Sequence, residues 1–262
     1  MAALRTALSI AALGALAACA TTGTGSGAAA SDTHIDREAR RQVAHENLLT
    51  QMTFWAQEYA AYPTDLEAGQ KFSEALRLGG QFDRASQVAS EALSRHEDDQ
   101  QLLMTLGLAE LGARQPNDAL QPLAMVAHLD RQNWRARSAL GVALDQLGRT
   151  DEARRAYQEA LALKADDPGV LTNLGVSHLM AGEPAEAETL LRQAAALPNA
   201  PPEARQNLAI AVGLQGRFDE AEQLERIDLP PNLVAENMSY IRSLLDNSRS
   251  WSSLSGARTR QQ

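Results

Sequence analysis

NWRARSALGVALDQLGRTDEARRAYQEALALKADD, residues 133–167, holds two runs of helical apolar spacing joined at Gly148. Leu140-Gly141 lies in the first run, Ala153 opens the second, and Ala160-Leu161 follows seven residues later. Two antiparallel helices about 8–10 Å apart need small side chains where their backbones approach most closely. Gly141 in the first helix and Ala153 in the second meet that need, and the leucines between them fill the groove.

The pattern recurs in both directions. Alanine stands at 85, 119, 153, 187 and 221, each step being 34 residues. Leu106, Leu140, Leu174 and Leu208 each precede one of those alanines by 13 residues, and Gly107, Gly141, Gly175 and Ala209 follow them directly. Glycine marks the turn between helices at Gly80, Gly148, Gly182 and Gly216. A fixed period of this length is the mark of a stacked-repeat architecture.

The residues resemble the tetratricopeptide repeat, with Leu-Gly early in helix A, glycine at the turn, alanine in helix B and then Ala-Leu. The resemblance implies an all-α, right-handed solenoid of about five helical hairpins over residues 63–230, with a capping helix at each end. Several positions depart from the pattern. Arg114 replaces a turn glycine, Phe72-Ser73 replaces Leu-Gly, Ala165 takes the usual proline position and Asp228 stands where alanine is expected. Weak end units are normal for solenoids, whose ends face solvent.

Outside the repeats, Leu48, Met52, Trp55 and Tyr59 are spaced 4, 3 and 4, one face of a helix within 35–62 that Pro63 ends. Its aromatics Phe54, Trp55, Tyr59 and Tyr62 serve either helix packing or a partner contact. Residues 231–246, after Pro230-Pro231, read as a C-terminal capping helix. Residues 247–262 are rich in serine and arginine and hold no acidic residue, so a disordered tail is expected.

The N-terminus reads as an address. One basic residue, Arg5, precedes a small apolar run of 12 residues from Ala7 to Ala18. A bilayer span needs roughly 20, so the run has the length of a signal-peptide core. It ends in Leu16-Ala17-Ala18-Cys19, which resembles the bacterial lipobox. The resemblance implies a cleaved leader over 1–18, lipidation of Cys19, and a flexible tether over 19–34. Ala20, and no aspartate, follows the cysteine; by resemblance to sorted lipoproteins this implies the periplasmic face of the outer membrane. Cys19 is the only cysteine, so no disulfide can form within one chain.

The composition is 44% hydrophobic and 4% aromatic, with alanine and leucine dominant and a net charge of −9. That mix favours helices and lacks the basic stripe a nucleic-acid binder needs. None of His34, His45, His96, His128 and His178 has a second histidine three or four residues away. Asp98-Asp99 and Asp166-Asp167 fall just before a helix A, where N-caps account for them. No catalytic residue, metal ligand or cofactor is therefore expected, and the chain reads as a non-enzymatic binding protein.

In this fold the helix A side chains line the concave face. Leu108, Val142, Val176 and Ile210 occupy the same position in successive units, and Leu111, Leu179, Met180 and Leu214 extend them. This stripe reads as a groove for an amphipathic helix or extended peptide of a protein partner. Tighter superhelical packing, or coverage by the C-terminal helix, is the other reading. Asn173 and Asn207 match the asparagine of a carboxylate-clamping groove, but Ser138, Gly169 and Glu203 stand where its basic residues belong, so no such clamp is expected.

The lipobox, the tether, the five repeats and the tail Leu229-Pro230-Pro231, Ala235-Glu236-Asn237 and Tyr240-Ile241-Arg242 together resemble the TadD family of tight-adherence (Flp) pilus lipoproteins. That resemblance implies a pilotin-like or scaffold role toward the outer-membrane secretin and its partners. A lipoprotein adaptor for cell-wall enzymes or outer-membrane protein assembly is the alternative.

Overall fold

Helix A of each unit starts at a short acidic or amide side chain. Asp65, Asp99, Asn133 and Asp167 each accept a hydrogen bond from the backbone N–H three residues on, at 2.7–3.0 Å. They cap α3 (Leu66–Leu78), α5 (Gln100–Gly112), α7 (Trp134–Gln146) and α9 (Pro168–Met180). The fifth A helix, α11 (Pro202–Leu214), begins instead with a proline at its first position, where the missing N–H leaves nothing unsatisfied.

The B helices have no side-chain cap. They are α4 (Phe82–Leu93), α6 (Pro116–Leu129), α8 (Thr150–Leu163), α10 (Pro184–Ala196) and α12 (Phe218–Glu225). A left-handed residue launches each of them by closing the preceding A helix. At Gly148, with φ of 73°, the Gly148 N–H donates to Asp145 O at 2.9 Å and the Arg149 N–H to Leu144 O at 2.9 Å. This pair of backbone bonds consumes carbonyls that a helix end would otherwise leave open.

The computed structural model describes residues 37–258, as helices joined by short connections. The predicted leader, Cys19 and the tether lie outside the described residues. Five A/B hairpins follow one another as the 34-residue step requires. Within a hairpin the small positions sit where the backbones meet. A Cβ on Gly141 would lie 2.6 Å from Tyr157 Cε1, closer than packed carbon atoms allow.

Successive A helices pack on one another: α3 on α5, α5 on α7, α7 on α9 and α9 on α11. Among the described residues the backbones of successive B helices stay further apart, α10 reaching α12 through the Arg192–Glu220 ion pair. The array therefore curves with the A helices on its inner side.

The ends differ from the sequence expectation. The N-terminal helix predicted over 35–62 is two helices, α1 (Arg37–Val43) and α2 (Leu48–Ala61). Asn47 breaks the run by capping α2, its side chain accepting from the Thr50 N–H at 3.0 Å. The C-terminal helix predicted over 231–246 is longer: α13 runs Pro231–Arg258 and takes in most of the segment expected to be disordered. No proline or glycine stands between Pro231 and Gly256 to stop it. Val234, Met238 and Ile241 bury one face of α13 in the core formed with α11 and α12.

Candidate functional site: a cleft on the inner helix layer

The A helices approach one another less closely at the centre of the array, α5 to α7 to α9, than at its ends. There the inner face opens into a cleft of about 390 Å³. Met104, Leu108 and Leu111 come from α5, Trp134, Arg135, Ser138 and Val142 from α7, and Asp167, Val170 and Asn173 from the start of α9. The lining is largely apolar, and its few polar groups are mostly engaged. Asn173 Nδ2 donates to Ser138 Oγ at 3.3 Å. The Asp167 carboxylate caps α9 and pairs with Lys164 at 3.0 Å.

The predicted stripe divides on this geometry. Leu108, Val142 and Leu111 line the cleft together. Val176, Ile210, Leu179, Met180 and Leu214 are not among the residues that form it. Leu179 and Ile210 pack against the C-terminal core instead. Val176 and Leu214 are half-buried, while Met180 is exposed, at 65%. The cleft across three A helices thus takes in part of the stripe, and Leu179 and Ile210 lie in the packing of the C-terminal core.

Trp134, Met104 and Val170 belong to the cleft without having been singled out in the sequence. Trp134 is the first residue of α7, outside the recurring Leu-Gly, glycine and alanine positions by which the repeat was read. At the N-terminal end the aromatics serve packing: Trp55 and Tyr59 are buried and Phe54 meets Trp55 edge to face at 5.1 Å. His178 is half-buried, its Nδ1 2.7 Å from Glu183. That contact and Arg154 hold the Glu183 carboxyl below its usual range.

A polar core lies just behind the cleft. Asp145 of α7 accepts hydrogen bonds from Tyr157 of α8 and Ser177 of α9, each at 3.0 Å. Burial pushes the Asp145 carboxyl above its ordinary range, against the pull of those two donors. One buried carboxylate thereby ties α7 and α9, which line the cleft, to α8.

The tetratricopeptide-repeat family profile matches residues 104–169, 139–204 and 172–232, so the helical hairpins over this region are tetratricopeptide repeats. Among solved structures, a thermophilic TPR protein of Thermus thermophilus is 21% identical over 68% of this chain and 98% of that one, with a TM-score of 0.60. MamA of Desulfovibrio magneticus RS-1, from residue 41 to its end, is 19% identical over 60% of this chain and 89% of that one, with a TM-score of 0.54. At these identities the likeness shows the fold alone. No curated protein matches. Tetratricopeptide repeats bind protein partners and are typically scaffolds without catalysis of their own.

Proposed function

We propose that this array of tetratricopeptide repeats is a lipid-anchored scaffold whose inner cleft holds a segment of a protein partner, in the assembly of a tight-adherence pilus. The cleft carries the binding part of this reading. Leu108, Leu111 and Val142 meet in an opening among otherwise packed A helices, and a protein segment would cover them.

Leu16-Ala17-Ala18-Cys19, with Cys19 the only cysteine, supports the anchor. Several acyl chains at one residue would hold the protein firmly, where a single chain binds only marginally. Ala20 supports the periplasmic face of the outer membrane. The tail from Leu229 to Arg242 supports the pilus assignment, with the secretin or another assembly component as partner.

Pull-down of the chain from pilus-producing cells tests the reading. Secretin should be recovered by the wild type and lost with Val142→Asp at unchanged helicity by circular dichroism. Recovery of peptidoglycan hydrolases without secretin would move the assignment to the cell-wall adaptor. Cys19→Ser should abolish detergent-phase partitioning; a cleaved form that still partitions would refute the anchor.

A further inference from the structure

The cleft is apolar but not neutral. Trp134, at the start of α7, carries two cations over its ring: the Arg135 guanidinium carbon is 4.5 Å from the centroid and Lys164 Nζ is 4.3 Å. Lys164 is answered by Asp167 at 3.0 Å. Asp167 is the only carboxylate in the cleft lining, and it is already engaged by the Gly169 and Val170 N–H groups at 3.1 and 3.0 Å.

Arg135 differs. It is exposed, lines the cleft, and forms no ion pair or hydrogen bond among the described residues. Arg77, Arg149, Arg154 and Arg205 face carboxylates at 2.7 Å, and among the array's arginines without such a partner Arg135 is the one that lines the cleft. In a chain of net charge −9, a guanidinium left open at an apolar cleft is a specific feature. Stacking on Trp134 restricts its fork, so less freedom is lost when it closes on a planar acceptor.

We infer that the cleft recognises an acidic, apolar segment of a protein partner, its apolar side chains on Met104, Leu108, Leu111 and Val142 and a carboxylate on Arg135. This rests on the cleft being the docking site. A guanidinium–carboxylate contact is frequently bidentate, and here it would form beside apolar walls that weaken competition from water. The molecule's overall charge works in the opposite direction, drawing basic segments to the surface at long range. A preference for acidic segments can therefore come only from the local site. Residues 246–262 of the chain itself, with Asp246 against Arg249, Arg258 and Arg260, have the wrong sign to be the occupant.

The test is selection of random 16-residue phage-displayed peptides on the full chain carrying Cys19→Ser, in parallel with Arg135→Glu and Val142→Asp. The wild-type pool should be rich in Asp or Glu beside large apolar residues. The Arg135→Glu pool should lose the acidic residues, and the Val142→Asp pool should not enrich. A synthetic peptide of the wild-type consensus, followed by fluorescence anisotropy, should bind Arg135→Glu at least about tenfold more weakly. Arg135→Glu lies at an exposed position, and circular dichroism checks its fold. Peptides that enrich on the wild type, fail on Val142→Asp and carry no acidic excess would leave the cleft as the docking site and overturn the charge assignment. No enrichment over Val142→Asp, or displacement of the consensus peptide by a synthetic 246–262 peptide, would overturn the inference as well.

Discussion

The Tyr157 hydroxyl donates to a carboxylate oxygen of Asp145 at 3.0 Å, and both side chains are buried. Ser177 donates to the other oxygen, so one carboxylate joins α7, α8 and α9 behind the cleft. Tyr157→Phe keeps the ring that fills the space over Gly141 and removes only this donor. The expected cost is about 1–3 kcal/mol, because a buried acceptor loses a partner. Burial already holds the folded Asp145 carboxyl above its ordinary range. Its contribution to stability is therefore full below the unfolded value and is lost as pH rises through the folded one. Below that range the carboxyl is neutral and needs the tyrosine less, so the cost of Tyr157→Phe should be larger at pH 8 than at pH 4. Urea denaturation at the two pH values reads this; an equal cost at both would remove the charge from the account.

Glu225 occupies a core position. Steps of 34 residues from Leu123 lead through Tyr157 and Leu191 to Glu225, and the first three fill the space between helices A and B of their units. The carboxylate is buried at 1% exposure, with Asn237 Nδ2 donating to it at 2.9 Å. Burial, and secondarily the nearby Asp228, push its carboxyl up. The sign is that of Asp145: stability held at acid pH is lost as pH rises through the folded value. Glu225→Gln keeps an acceptor for Asn237 and cannot ionise. It should raise the thermal midpoint at pH 7.5, and the gap from the wild type should close toward pH 4. A midpoint lower than the wild type at pH 7.5 would mean that the charge itself is needed to seat α13.

These two residues also mark how far the sequence could be read. The hairpins were legible because the 34-residue step places glycine or alanine where backbones touch, and Gly141 under Tyr157 is such a contact. The caps at Asp99 and Asp167 were legible because capping is local. The split of the predicted stripe was not. Whether Val176 or Val142 faces an opening depends on how closely neighbouring A helices approach, which side chains far apart in the chain decide together. The break between α1 and α2 stayed hidden because the spacing read in the sequence, Leu48 to Tyr59, lies wholly after Asn47 and does not mark where the helix begins. α13 ran on because serine and arginine composition pointed to disorder, while nothing in that stretch forbids a helix.

Arg40 holds the N-terminal cap to the array. It is buried at 5% exposure, within 2.7 Å of Glu58 and Glu67 and 3.1 Å of Asp65, with its guanidinium 5.3 Å from the Trp55 ring centroid. Removing it leaves three carboxylates facing one another. Arg40→Ala should cost about 3 kcal/mol locally, the lower end of what breaking a buried pair costs, because Glu67 is half exposed. Solenoid units respond to their neighbours, so the loss should stay at α1, α2 and the start of α3. Hydrogen exchange should show protection lost there and kept from α7 onward. A uniform loss across the array would mean that the cap and the repeats unfold as one unit.

Arg114 sits at φ of 61°, where the other four hairpin turns have glycine at 73° to 85°. The backbone bonds are nonetheless the same: the Arg114 N–H donates to Leu111 O at 3.1 Å and the Gln115 N–H to Glu110 O at 2.8 Å. The packing of the hairpin imposes the left-handed turn on a residue that disfavours it by roughly 1–2 kcal/mol. A Cβ at the equivalent glycines would meet nothing within 4 Å, so the strain lies in the dihedral and not in a clash. Arg114→Gly should relieve it, offset in part by the greater freedom glycine has when unfolded. The net expectation is a gain of about 0.5–1 kcal/mol, with Gly148→Ala losing a similar amount as the reverse experiment. Urea midpoints of the two variants against the wild type measure both; loss of stability in Arg114→Gly would mean that the arginine side chain contributes more than its backbone costs.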